Sequence, residues 1–215
     1  MASEIQIKIC CISSSDEARC ASDAGADYLG LVGPMPSGPG ILDHSTAQTI
    51  AAQHRGHGAP ILLTASTTAQ AIAADAARVG VSHVQVVRHI APAEAQLLAE
   101  HPLTYFQVIH IEDETALTLI ETYAPFCDAF LLDSGRPSQD TLGGTGKIHD
   151  WRISAEWVRR AQIPTFLAGG LTPENIADAI KTVRPAGVDI CSGIRRGGAL
   201  DPALLASFIK NVKSA

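Results

Sequence analysis

Apolar and polar positions alternate from the start of the chain. Ile5, Ile7 and Ile9 face one way and Gln6, Lys8 and Cys10 the other, the period-two pattern of a strand. The period then changes. Ser13-Ser14-Ser15-Asp16 offers capping oxygens, and a run of small residues stops at Gly25, as helices commonly do. Seven more apolar runs follow, at 28–32, 61–63, 84–87, 105–109, 128–132, 164–168 and 187–191, and each reads as a strand. Between them the pattern predicts helices over about 45–53, 67–79, a short stretch from Pro92, 112–123 and 154–161. Thr172-Pro173-Glu174 starts another helix, with Thr172 as cap and Pro173 in the first turn. Asp201-Pro202 opens the last, which reaches Val212. Residues 33–40 hold three prolines and three glycines and form a loop.

Eight strands and eight helices in strict alternation mean parallel strands joined by crossover helices. Eight such units close into a (β/α)8 barrel, the TIM barrel of the α/β class. The alternative is an open doubly wound sheet, but the G-x-G-x-x-G turn that usually follows its first strand is absent. No linker, low-complexity segment or charge block divides residues 1–215, so one domain is expected.

Composition narrows the class. The chain is 46% hydrophobic and 18% charged, as in an ordinary soluble globular protein. A net charge of −6 argues against nucleic acid or an anionic membrane as partner. No apolar run is long enough to span a membrane, and the N-terminus lacks the pattern of a signal peptide. The five cysteines are odd in number and have no C-x-x-C spacing, against a disulfide framework or structural zinc. The expected compartment is a reducing cytoplasm.

In such a barrel the chemistry lies at the C-terminal ends of the strands. Cys10 ends the first strand, Asp133 the sixth, and Gly169-Gly170 the seventh; Ser192-Gly193 follows the eighth. Asp133 precedes a long glycine-rich loop containing Gly143-Gly144-Thr145-Gly146, and long loops are often functional. It is either a catalytic carboxyl or the cap of a turn. The glycine positions after strands seven and eight fall where barrels bind phosphate through backbone N–H groups, although glycine also serves simply as a turn former. Lys8 and Cys10 share a face. If the isoleucines meet the helices, both point into the barrel, where a cation favours the thiolate. The competing reading of Cys10 is a small buried hydrophobe. Cys11 is expected to face the helix layer, with Cys20 and Cys127 in packing roles. His44, His54, His57, His83, His89, His101 and His149 read as mostly exposed, His110 as a weak candidate for the mouth, and no metal triad is apparent.

Lys8-Ile9-Cys10, Ala24-Gly25-Ala26-Asp27-Tyr28-Leu29-Gly30, Leu132-Asp133-Ser134 with Gly143-Gly144-Thr145-Gly146, Leu167-Ala168-Gly169-Gly170-Leu171-Thr172-Pro173-Glu174-Asn175 and Gly187-Val188-Asp189-Ile190-Cys191-Ser192-Gly193 occur in that order. Together they resemble the phosphoribosylanthranilate isomerases of tryptophan biosynthesis, from end to end of the chain. The resemblance implies a single barrel and an Amadori rearrangement of a phosphoribosyl amine. It makes Asp133 the general acid and Cys10 the general base. Gly144, Thr145, Gly146, Gly169, Gly170, Ser192 and Gly193 then form the substrate and phosphate contacts. It also implies no cofactor or metal, a small phosphorylated substrate, and a monomer or homodimer.

The chain departs from the family pattern in places. The family's glycine after the cysteine is Cys11 here. Its arginine after strand two, which holds the anthranilate carboxylate, is missing, since no Arg or Lys occurs between Cys20 and His54. Arg88 and Arg195 have no family counterpart and follow strands four and eight, so they are candidates for a relocated clamp. The expectation is this isomerase. The alternatives are a related isomerase of another phosphosugar amine and a non-catalytic barrel that binds a phosphorylated metabolite.

Overall fold

The computed structural model describes residues 4–135 and 148–215. The strands are β1 Gln6–Ile9, β2 Tyr28–Val32, β3 Ala59–Thr64, β4 His83–Val86, β5 Thr104–His110, β6 Ala129–Asp133, β7 Thr165–Leu167 and β8 Gly187–Ile190. They hydrogen-bond in sequence order and close as a barrel. The closing seam is the parallel pair β1–β8, with Lys8 opposite Asp189 and Ile9 opposite Ile190. The helices are α1 Ser15–Ala24, α2 His44–Gln53, α3 Ala69–Val79, α4 Pro92–Ala99, α5 Leu119–Tyr123, α6 Trp151–Arg160, α7 Ile176–Val183 and α8 Pro202–Lys213.

Strand alternation sorts the apolar residues into two layers. Ile7, Ile9, Leu29, Leu31, Val188 and Ile190 pack outward, as do Val84, Val86, Ile109, Phe130 and Leu132, forming the core beneath the helices. Ile61, Leu63, Phe106, Val108, Ala129, Leu131 and Phe166 fill the interior. Tyr28, Phe106 and Phe166 meet there with ring centroids 5.2–5.7 Å apart. The same parity turns Lys8, Cys10, Gln85, Asp133 and Asp189 inward.

The helix starts follow capping chemistry. Ser14, Asp43, Thr68, Asp150 and Asp201 each accept a backbone N–H of the first turn, and Gly25 takes the left-handed C-cap of α1. Two helix expectations need correction. The stretch expected as one helix over 112–123 is a 3-10 turn, Glu114–Thr118, followed by the short α5. Asp113 accepts from Thr115 and the Thr118 hydroxyl donates to the Thr115 carbonyl, local bonds that tighten the turn. Further on, α7 begins at Ile176 and not at Pro173. Thr172 and Asn175 exchange side-chain and backbone hydrogen bonds at 2.8 and 3.4 Å, so a side-chain-braced turn precedes the helix.

After β8 comes a 3-10 turn, Ser192–Ile194, and then a small hairpin of β9 Arg195–Arg196 and β10 Ala199–Leu200. Gly197 and Gly198 turn it with φ of 57° and 86°.

Candidate active site

The C-terminal ends of the strands surround a cleft of about 760 Å³, part of it open to solvent. Cys10 reaches it from β1 and Asp133 from β6. Gly169, Gly170 and Leu171 follow β7, Ile190, Cys191 and Ser192 come from the end of β8, and Met35, Ser37, Gly38 and Pro39 form the rim after β2.

Cys10 sits over a buried ion pair. Lys8 is completely buried, and its Nζ lies 2.9 Å from Asp189 Oδ1. Burial opposes the ammonium charge, but Asp189 and then Cys10 outweigh it and hold the Lys8 pKa above the usual lysine value. Burial raises Asp189, with Lys8 pulling the other way. Gly30 makes room for this arrangement. A Cβ there would stand 3.0 Å from Cys10 Cα, 3.1 Å from its Sγ and 3.2 Å from Lys8 Nζ.

Asp133 ends β6 with its carboxylate accepting the Ser134 N–H at 2.7 Å. His149 lies within its electrostatic reach. Burial lowers the His149 pKa against the pull of Asp133 and Asp150, and its Nε2 contacts Ser154 Oγ at 2.6 Å.

The β7 loop is shaped for close approach. Gly169 and Gly170 have φ of 79° and 65°, a region other residues rarely adopt. A Cβ on Gly169 would fall 2.9 Å from Ser134 Oγ. Asn175 Nδ2 donates to the Gly170 carbonyl at 2.9 Å and fixes the turn ahead of α7.

The structure thus brings Cys10, Asp133, Gly169, Gly170 and Ser192 to one cleft. It does not bring Gly193, Arg88 or Arg195 to the lining. Gly193 serves the packing of the two loops, since a Cβ there would meet the Leu171 carbonyl at 2.1 Å. Arg195 pairs with Glu17 at 3.0 Å and also donates to the carbonyls of Cys10, Cys11 and Gly198. Gly144, Thr145 and Gly146 lie outside the described residues.

Three readings of the sequence are corrected here. Cys11 faces the cleft and not the helix layer, because its φ of 61° breaks the strand alternation. The histidines are less exposed than expected: of the seven read as mostly exposed, only His57 and His89 are, and the others are half-buried. His110 is buried, with Nε2 on the Val87 carbonyl, and does not line the cleft.

Among the lining residues that sequence reasoning did not place at the site are Gln85, Asp189, Cys11 and Cys191. Gln85 is buried, and its Oε1 has no hydrogen-bond partner among the described residues. A polar residue at an inward position between Val84 and Val86 was the available signal.

The family model described as N-(5'phosphoribosyl)anthranilate (PRA) isomerase matches residues 7–211. The N-(5'-phosphoribosyl)anthranilate isomerase of Haloarcula marismortui is 35% identical over 98% of this chain and 97% of its own. That of Roseiflexus castenholzii is 36% identical over 97% and 98%. Among solved structures, the phosphoribosyl anthranilate isomerase of Thermotoga maritima superposes with a TM-score of 0.85 at 26% identity, covering 98% of this chain and 100% of that one. The Thermococcus kodakaraensis enzyme gives 0.81 at 28%, with the same coverage. With sequence and fold in agreement over nearly its whole length, the chain belongs to the N-(5'-phosphoribosyl)anthranilate isomerase family.

Proposed function

We propose that this protein isomerises N-(5'-phosphoribosyl)anthranilate to the corresponding 1-deoxyribulose 5-phosphate, an internal aldose–ketose redox reaction in tryptophan biosynthesis. The observation that carries the reading is the placement of Cys10 and Asp133, from β1 and β6, on one cleft closed on a third side by the β7 and β8 loops.

In this reading Asp133 protonates the ribose ring oxygen. The C1'–O bond breaks and the substrate nitrogen takes up the electron demand as an iminium. Cys10 removes the C2' proton, the C–H electrons form a C1'=C2' bond as the C=N π electrons return to nitrogen, and the enolamine so formed tautomerises to the ketone. Lys8 contributes positive charge beside the sulfur. Gly169, Gly170 and Ser192 hold the phosphate through backbone N–H groups and the Ser192 hydroxyl. Gly144, Thr145 and Gly146 belong to the same assignment by resemblance. Gln85 offers its Oε1, unpaired among the described residues, to a substrate hydroxyl. The proposed setting is the cytoplasm; no helix among the described residues is long and apolar enough to cross a membrane.

One observation favours a second reading of the amine portion. No arginine or lysine is among the described residues lining the cleft, and Arg195 is occupied by Glu17. A substrate with a different amine group fits that lining. Two measurements decide between the readings. Expression in a tryptophan auxotroph lacking the isomerase should restore growth, and kcat/KM on phosphoribosylanthranilate should be in the ordinary enzyme range of about 10⁴–10⁸ M⁻¹s⁻¹. No rescue, with a feeble kcat/KM, overturns anthranilate as the amine portion.

A further inference from the structure

The proposed reaction uses one thiol, yet three line the cleft: Cys10, Cys11 and Cys191. Their proximity follows from the barrel seam. β1 and β8 are neighbours, and Cys10 N donates to the Ile190 carbonyl at 2.8 Å, so the residues just beyond both strands emerge side by side. Ordinary alternation would point Cys11 away from Cys10. Its left-handed backbone, φ 61°, turns the side chain back to the cleft, in a conformation that residues with a Cβ rarely adopt.

The Cys11 thiol interacts directly with those of Cys10 and Cys191. Cys11 itself is buried, while Cys191 is partly open. The contact with Cys11 lowers the Cys191 pKa; burial opposes the shift and Arg195 supports it. The same contacts, with Cys10 first, raise that of Cys11. Of this pair Cys191 is therefore the thiol that ionises first, and Cys11 stands behind it as a resolving thiol. Among the described residues no three His, Cys, Asp or Glu side chains converge as a metal site requires.

Cys10 is the poorer partner for Cys11. Adjacent Cα atoms lie about 3.8 Å apart, below the usual disulfide range of about 4.4–6.8 Å. Ile9 pairs with Ile190, so Cys11 lies diagonal to Cys191 across the seam, and a strand spacing of about 4.8 Å with a rise of about 3.3 Å puts their Cα atoms about 6 Å apart, within that range.

We infer that Cys11 and Cys191 are an oxidation site: a dithiol that a small disulfide such as oxidised glutathione converts to an intramolecular disulfide, closing the cleft beside Cys10. The Cys191 thiolate attacks one sulfur of oxidised glutathione, the S–S bond breaks, and a glutathione thiolate leaves with the electron pair. Cys11 gives its proton to that leaving thiolate and attacks the Cys191 sulfur, expelling the second glutathione, which takes its proton from solvent. Two protein thiols are oxidised and one glutathione disulfide is reduced to two thiols. Disulfide formation does not depend on the proposed reaction, whereas its effect on turnover rests on that reading.

The test is incubation of the full chain with oxidised glutathione, followed by intact mass, peptide mapping and turnover of phosphoribosylanthranilate on the same samples. The expected result is the loss of two hydrogens, a bridge joining Cys11 to Cys191, loss of turnover in step with the bridge, and recovery with dithiothreitol. Cys11→Gly, which suits the left-handed backbone, and Cys191→Ser should form no bridge. Treated Cys11→Gly should lose far less of its own starting turnover than the wild type loses. A wild type that forms no bridge, bridges Cys10 to Cys11, or stops at a stable glutathione adduct overturns the proposal. So does a complete Cys11–Cys191 bridge with unchanged turnover. If the protein turns over no phosphoribosylanthranilate at the outset, the proposed function fails, and the mass and mapping results still decide the oxidation site.

Discussion

A carboxyl at the tip of β6 and a thiol at the tip of β1 face one cleft, and each has a near-isostere that cannot perform its proton transfer. Asp133→Asn and Cys10→Ser should each lower kcat by about 10²–10⁴-fold, the worth of a positioned acid or base, with KM little changed because the phosphate loops are untouched. Full turnover in both variants would remove them from the mechanism. Gly30 tests whether the thiol must stand where it does. Gly30→Ala puts a methyl 3.1 Å from Cys10 Sγ and 3.2 Å from Lys8 Nζ. Overpacking of this kind costs about 1–3 kcal/mol, which urea unfolding measures, and kcat should fall with it. Unchanged stability and turnover would show that the close approach of β2 does not position the sulfur. At this scale the sequence was legible where alternation held: the parity of Ile5, Ile7 and Ile9 turned Lys8 and Cys10 inward. It failed at Cys11, where one positive φ reverses a side chain and no neighbouring residue announces it.

At the scale of elements, Glu17 joins three pieces of chain. It accepts from Arg195 at 3.0 Å, from Leu200 N and from Ser13 N, while Arg195 reaches on to the carbonyl of Cys10, so α1, the β9–β10 hairpin and the end of β1 are tied together. Burial raises the Glu17 pKa, but the hydrogen bonds from Arg195, Leu200 and Ser13 outweigh it and the folded value is lowered. A group depressed on folding contributes stability above its unfolded value, ordinarily 4.5, and loses it as pH falls through the lower folded value. Glu17→Gln should therefore cost about 1.5–3 kcal/mol at neutral pH, the worth of charged hydrogen bonds. Thermal melts across acid pH should show the gap to the wild type shrinking below pH 4.5. A gap that widens on acidification would contradict the assignment. The hairpin behind this tie was not legible, because strands of two residues leave no periodicity. The barrel strands were, since each is a short apolar run bounded by loop or helix residues. The segment before α5 misled because Thr115 and Thr118 form local bonds that a helical reading does not foresee.

Over the whole molecule, the seam is where the first strand finds the last. Lys8 and Asp189 are 181 residues apart, so no local pattern pairs them, and the bond exists only once the barrel closes. A buried ion pair is weak evidence for net stability, because desolvation of both ions offsets their attraction. Removing one partner is another matter. Asp189→Asn strands the fully buried Lys8 ammonium without its counter-charge and should cost about 3–5 kcal/mol. Replacing both, Lys8→Met with Asp189→Leu, removes the charge altogether and should recover most of that loss, with a coupling energy of about 0.5–3 kcal/mol in the double-mutant cycle. Turnover should not recover with it. The double variant closes its barrel but has no cation beneath Cys10, so it should melt close to the wild type and remain slow. Unfolding by denaturant and kcat, measured on the two single variants and the double, separate the roles. A double variant that regains both stability and turnover would make the pair a closure device alone. One that regains neither would mean the seam needs the ions themselves to hold β1 against β8.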